Sequence, residues 1–187
     1  MQALTRATWK GSALPLTEAD RRLAHLVDDL WAGYFADVPR PNDLVVGFAF
    51  PWKWRLARIR MALDEQWSEI GVNPLLRHPA VPHDIYIAVL AHEIVHYAQG
   101  FGSPLPRQQR HAHAHGAVDH ELARRGLGHT EEVLATWGEH VWPHLRAEAF
   151  TQHRATRRAF RQAPLQDGRK YAIVDVKAVQ TIAWQGR

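Results

Sequence analysis

The sequence contains no cysteine, and this absence excludes several kinds of site. Disulfides, zinc ribbons, iron–sulfur clusters and cysteine nucleophiles all require a thiol. Long hydrophobic runs are missing as well, since no segment reaches the roughly 18 continuous apolar residues of a membrane span. The first 16 residues are interrupted by Arg6, Lys10, Gly11 and Pro15 and lack the apolar stretch of a secretory signal. We therefore expect a cytoplasmic protein with no membrane partner.

The composition is that of a folded domain rather than of a disordered chain. Of the 187 residues, 46% are hydrophobic and 22% are charged. We expect one domain over residues 1–187, with a core over about residues 16–162 and a C-terminal β tail over residues 163–187. The formal net charge of +4 permits a nucleic-acid partner without requiring one. Histidine, with 13 copies, is the abundant residue type that points towards metal chemistry.

Hydrophobic periodicity and turn residues predict an α+β fold. Helices are expected where apolar residues recur every three or four positions: residues 16–36, 84–99, 114–125 and 130 to about 160. Strands are expected in aromatic and β-branched runs: residues 43–50, 54–63 (where a short helix is the alternative), 70–72 and 171–184. We expect a small antiparallel or mixed sheet packed against the central helix, with further helices C-terminal to it. Asp84 is predicted to cap that helix, and Gly100 to end it.

The central predicted helix carries the HExxH pattern, His92-Glu93-Ile94-Val95-His96. Residues four apart project about 40° from each other on an α-helix, so both imidazoles can reach one Zn²⁺. Glu93 projects about 100° from His92 and is better placed to hold a water molecule than to bind the metal. Apolar residues surround the motif, and ionisable side chains on such a helix are costly unless they are paired or metal-bound.

A catalytic zinc site needs a third protein ligand and an open fourth position. Four histidines follow the predicted loop over residues 101–110: His111, His113, His115 and His120. His115 is our first choice, because it precedes Gly116 at the predicted start of a helix. His113 is the alternative, and Glu121 would instead give a His-His-Glu site.

With these residues in place, the chain resembles the SprT-like zinc metallopeptidase family. The resemblance rests on AVLAHEIVHYAQG, a 14-residue gap and HGAVDHELARRG, with a looser likeness in RIRMAL and IGVNPLLRHP upstream. It implies a zincin-like metallopeptidase core in which His92, His96 and His115 bind zinc and Glu93 is the catalytic acid/base. Family members commonly add a cysteine zinc ribbon, which this chain lacks, and an aromatic residue shortly after the HG pair, where this chain has Ala117, Val118 and Asp119.

The predicted activity is hydrolysis of a peptide bond in a protein or peptide substrate. A zinc-bound water of lowered pKa would attack the carbonyl while Glu93 accepts its proton and passes it to the leaving amine. Two other functions stay open. A structural zinc closed by His113, His120 or Glu121 would make a non-catalytic binding module, and the same zinc water could act on a non-peptide bond.

Two basic patterns raise nucleic acid as a further partner. Indoles and cations alternate over Trp52, Lys53, Trp54 and Arg55, continuing to Arg58 and Arg60, as in a platform that stacks single-stranded bases. A basic helical stripe is predicted over Arg154, Arg157, Arg158 and Arg161. The resemblance adds single-stranded or damaged DNA, and proteins associated with DNA, to the candidate partners. The alternatives are that the tryptophans belong to the core or to a lid, and that the stripe is a solvated face.

Overall fold

The structure is a computed structural model, and it describes residues 4–5, 18–49 and 51–151. The chain divides into two compact units, residues 1–143 and residues 144–187. In the second unit residues 144–151 are described, and they are helical. The predicted β tail over residues 163–187 and the arginines Arg154, Arg157, Arg158 and Arg161 lie outside the described residues. The expectation of a single domain stays a prediction.

The first unit is built on a four-stranded mixed sheet with the strand order β1-β2-β4-β3. Its strands are β1 (Leu4–Thr5), β2 (Asp43–Phe48), β3 (Ala57–Met61) and β4 (Trp67–Val72). β2 runs parallel to β1 and to β4, whereas β3 is the edge strand of the described sheet and runs antiparallel to β4. Most residues of β2 and β4 are buried, which is typical of interior strands. β2 is apolar from Leu44 to Phe48, whereas β4 includes the buried polar residues Ser68 and Glu69.

Four α-helices accompany the sheet in the described part of the first unit: α1 (Glu18–Tyr34), α2 (His83–Ala98), α3 (Ala117–Arg124) and α4 (His129–His140). α2 is the central helix, because it contacts α1, β3, α3 and α4. Its central residues are buried on nearly every side, and Leu90, Ala91 and Ile94 are completely buried. Such all-round burial explains why this helix is apolar on every face.

Polar side chains join α2 to the sheet at defined points. The Tyr97 hydroxyl donates to Asn42 Oδ1 at 2.8 Å, and Asn42 Nδ2 donates to Ser68 Oγ on β4 at 2.9 Å. Asn73, completely buried at the end of β4, donates through Nδ2 to the carbonyls of Trp52 (2.8 Å) and Arg55 (2.7 Å). Asn73 Oδ1 also accepts from the backbone of a 3₁₀ turn, Pro74–Arg77. The segment between β2 and β3 is thereby attached to the same core as α2.

The structure confirms the α+β class and the mixed sheet. The segment over residues 54–63 is a strand, and not the alternative short helix, over its central five residues. Asp84 is not the cap of α2: Pro82 occupies that position without a side-chain hydrogen bond, and Asp84 lies in the first turn. Gly100 follows the end of the helix with a φ of +80°, and Phe101 N donates to His96 O at 2.8 Å, as in a Schellman motif.

Candidate metal centre

His92 and His96 lie one turn apart on α2 and their side chains come together. The two ring centroids are 4.7 Å apart, and the ring planes are nearly perpendicular at 85°. His96 is 7% exposed and the side chain of His92 is 20% exposed, so both side chains are largely shielded from solvent. The spacing of these two residues along α2 is therefore sufficient to place their imidazoles next to each other.

The third member of the group is His113, which arrives from the loop after α2. Its ring centroid lies 4.7 Å from that of His96 and 5.2 Å from that of His92. Each of the three histidines offers a ring nitrogen, and these atoms all lie within 4.8 Å of one another. Among the described residues this is the group of side chains that could hold a metal ion. Three imidazole donors suit zinc.

The loop that carries His113 is attached to the end of α2 by glutamine side chains. Gln99 is buried, donates to Ala117 O at 3.0 Å and accepts from Gln109 Nε2 at 3.2 Å. Gln99 O also accepts from Gln108 N at 3.1 Å. A Cβ on Gly100 would lie 2.5 Å from Pro106 O, so only glycine permits the loop to pass this closely. These contacts hold both ends of the loop against α2.

Glu93 lies beside the imidazoles in a nearly dry environment. Its side chain is buried, with 7% exposure. Burial raises the pKa of Glu93 from 4.5 to about 7, against opposing effects of the His92 charge, a hydrogen bond from the Ile59 backbone and the charges of Arg55 and Arg58. A carboxyl group with this pKa can both accept and release a proton near neutral pH.

The electrostatics of the three histidines differ. Burial, together with His92 and His113, lowers the pKa of His96 to about 3, so this ring is neutral at pH 7. Burial and His92 likewise lower the pKa of His113. For His92, burial alone would lower the pKa, but the hydrogen bond that its ring donates to Glu131, together with the charges of nearby carboxylates, outweighs burial and the net shift is upward. Neutral rings are the state in which histidine binds metals.

Glu131 is a site residue that the sequence analysis missed. It lies in the first turn of α4, and its Oε1 is 3.0 Å from His92 Nδ1. No short motif links the two residues, which are 39 positions apart in the chain. The one available signal was an acidic residue in the first turn of a predicted helix, which is a common feature of helix N-termini.

The structure brings His113, and not the first-choice His115, to the HExxH pair. His115 is exposed and lies in a 3₁₀ turn, Ala114–Gly116, where it has a φ of +54° and Gly116 has a φ of +67°. This pair of left-handed residues turns the chain away before α3 begins, so His115 is outside the group that could hold a metal. Glu121 is outside it too, because its carboxylate pairs with Arg124 and Arg125, each at 2.6 Å.

The predicted base-stacking segment lies between β2 and β3 and continues into β3. Trp54 is 70% exposed, Lys53 Nζ lies 4.9 Å from its ring centroid, and the Arg58 guanidinium lies 5.3 Å from the centroid of Trp52. Trp52 itself is half-buried over β4, where its ring would lie 3.2 Å from a Cβ on Gly71. One indole thus belongs to the sheet packing and one faces solvent, and DNA binding by this segment stays a prediction.

Comparison with protein-family models, curated proteins and solved structures finds no match for this chain. Within the described residues, no helix has the length and apolar character needed to cross a membrane. The geometry of the three histidines and Glu93 is therefore the basis for a functional conclusion.

Proposed function

We propose that this chain is a zinc-dependent metallopeptidase with a zincin-like core, in which His92, His96 and His113 hold the metal and Glu93 is the general base. The observation that carries the proposal is the convergence of three imidazole nitrogens within 4.8 Å beside a buried glutamate. His113 replaces His115 as the proposed third ligand, because His113 is the residue that lies against both rings of the HExxH pair.

The donor set fits zinc on two grounds. Three imidazoles with one remaining open position are the ligand set of many catalytic zinc sites. His96 Nδ1 is also buried and has no hydrogen-bond partner among the described residues. Buried polar atoms are nearly always paired, so an unpaired ring nitrogen among three imidazoles supports the presence of a further bound group at this site. The chemistry that a bound Zn²⁺ supplies at such a site is activation of water and polarisation of a carbonyl group.

Glu93 supplies the proton transfers. Because its pKa is about 7, a substantial fraction of the side chain is ionised at neutral pH and can accept a proton from a water molecule. The same carboxyl group then donates that proton to the amine nitrogen that leaves when the C–N bond breaks. The hydrogen bond from the Ile59 backbone favours the ionised form of Glu93, which is the form that accepts the proton.

A peptide substrate suits the strand beside Glu93. Asn73 N donates to Leu56 O at 2.7 Å and Ala62 N to Trp67 O at 2.9 Å, so the even-numbered residues of β3 pair with β4. In an antiparallel ladder the residues between them, including Ile59, direct their backbone groups away from β4. β3 is an edge strand, and an extended peptide can pair with such an edge. The Ile59 backbone N–H is engaged by Glu93, so such a peptide would pair with the neighbouring outward groups of β3 and would pass Glu93.

Two measurements on the purified full chain test this function: elemental analysis for bound zinc, and mass spectrometry of an unfolded casein substrate after incubation. We expect about one zinc per chain and cleavage that a chelator abolishes. Glu93→Gln should bind zinc as the wild type does, but cleave about 10²–10⁴-fold more slowly, because the general base is lost. Full activity of Glu93→Gln would refute the mechanism, and cleavage unaffected by zinc removal would refute the metal's role.

The two alternative functions receive less support from this site. A closed structural zinc needs a fourth ligand, and in the described residues the group contains three, since Glu121 is paired with arginines and His120 lies outside the group. Hydrolysis of a non-peptide bond would use the same three histidines and Glu93, but would gain nothing from the edge strand. Cleavage of an ester at a rate unaffected by a competing peptide would favour it.

A further inference from the structure

We propose that Glu131 is a positioning residue of the metal centre, which holds the His92 ring through Nδ1 and so leaves Nε2 for the metal. This inference rests on the proposed metal-binding function of His92, His96 and His113 and extends the site from α2 and its loop to a second helix, α4.

The contact between the two residues is a hydrogen bond of ordinary length, with 3.0 Å between His92 Nδ1 and Glu131 Oε1. An ionised carboxylate can only accept, so Nδ1 must carry the hydrogen. In a neutral imidazole the other nitrogen, Nε2, then has the free electron pair that a metal requires. Glu131 therefore selects the tautomer and the rotation of the ring together.

The packing of the two helices makes this contact a persistent one. α4 packs on α2, and the side chains of His92 and Glu131 are 20% and 26% exposed. Thr130, the preceding residue, is buried and its hydroxyl donates to Leu127 O at 2.6 Å, which holds the first turn of α4 in place. A carboxylate carried on a packed helix orients a ligand better than one carried on a loop.

The other carboxylates near the site are differently engaged. Glu93 is the proposed base and its hydrogen-bond donor is the Ile59 backbone. Asp119 is exposed and affects His92 through its charge alone. Glu121 forms ion pairs with Arg124 and Arg125. Glu131 is thus the carboxylate that contacts the imidazole of a proposed ligand, as carboxylates do in many carboxylate–histidine–zinc arrangements.

The first test uses the metal-free protein and does not depend on catalysis. Long-range ¹H–¹⁵N NMR spectra of the histidine rings distinguish the two neutral tautomers, at a pH above the raised pKa of His92. We expect His92 of the wild type to be protonated on Nδ1. In Glu131→Ala the signal should shift towards the Nε2-protonated form that free histidine favours. Glu132→Ala is the matched control, because Glu132 is the neighbouring acidic residue of the same turn and is exposed.

The second test measures zinc affinity by competition with a chromophoric chelator. Loss of an outer hydrogen-bond partner typically weakens metal binding about 10–100-fold, and we expect this loss for Glu131→Ala. Glu131→Gln keeps an oxygen acceptor for Nδ1 and should recover most of the affinity, whereas Glu132→Ala should match the wild type.

The two tests separate this inference from the proposed function. If His92 keeps the Nδ1-protonated form in Glu131→Ala, Glu131 does not position the ring, and the inference is overturned whether or not the protein is a peptidase. Equal zinc affinity of wild type and Glu131→Ala would overturn it as well. If neither protein binds zinc while the tautomer shifts as expected, the proposed metal site fails and the contact remains.

Discussion

The metal centre is assembled from two regions of opposite character, the helix α2 and the loop of residues 101–113 that follows it. In α2 the positions of His92 and His96 follow from helical geometry alone, because four residues make slightly more than one turn. In the loop the position of His113 follows from hydrogen bonds to Gln99 and from the close passage of Pro106 over Gly100. Local geometry therefore provides two of the donors, and tertiary contacts provide the third.

The largest expected effect is the loss of zinc affinity when a donor from either region is removed. His96→Ala and His113→Ala each remove a proposed ligand, so zinc affinity should fall by more than the roughly 100-fold upper effect of an outer partner. His115→Ala should bind zinc as the wild type does, since His115 lies outside the group. Competition titrations with a chelator measure all three variants. Loss of zinc binding in His115→Ala with retention in His113→Ala would reverse the assignment.

A second prediction concerns Gln99, the joint between the two regions. Gln99→Ala removes the side-chain hydrogen bond to Ala117 O and the one accepted from Gln109 Nε2, at a cost of about 1–3 kcal/mol in the free energy of unfolding. Because the loop then loses one of its attachments, zinc affinity should also fall, by about tenfold.

The measurements are urea unfolding of the metal-free protein and the same chelator competition. Gln108→Ala is a suitable control, since its exposed side chain makes a single bond, to Ala98 O at 3.1 Å. Unchanged zinc affinity in Gln99→Ala would mean that the loop holds His113 in place by its other contacts.

The smallest expected effect is a pH dependence of the free energy of unfolding, which arises from Glu93 on α2. Glu93 has a pKa of about 7 in the folded protein and an ordinary value of 4.5. The folded state therefore binds more protons than the unfolded state between these values, and the contribution of Glu93 to stability declines as pH rises through this window. Between pH 6 and pH 8 the metal-free wild type should lose about 1 kcal/mol through this group.

Glu93→Gln has no carboxyl group to titrate and should lack this component. Unfolding by urea at pH 6 and pH 8, with the wild type as reference, measures the difference between the two slopes. Identical slopes would mean that Glu93 titrates normally in the folded protein. That result would remove the basis for its proton transfers near neutral pH.

Sequence patterns predicted the helix better than the loop for a physical reason. Helix α2 and strand β2 are recognisable because each is an apolar run bounded by proline or glycine, and both were expected within two residues of their observed ends. The choice of His115 over His113 depended on the path of a long loop, which no periodicity describes. Two left-handed residues, His115 and Gly116, decide that path, and a positive φ at histidine is uncommon. Glu131 was beyond prediction because its contact with His92 joins separate helices.

The amide of Asn73 gives the β2–β3 segment a property that an ion pair would not. Asn73 has no proton to gain or lose, and its bonds to the carbonyls of Trp52 and Arg55 carry no net charge. Neither acid nor moderate salt should therefore loosen this attachment, although both would weaken an exposed carboxylate–guanidinium pair. The positive charge of Arg55 lowers the pKa of Glu93. Because Asn73 holds the Arg55 backbone through a neutral hydrogen bond, the position of this charge should not depend on salt concentration.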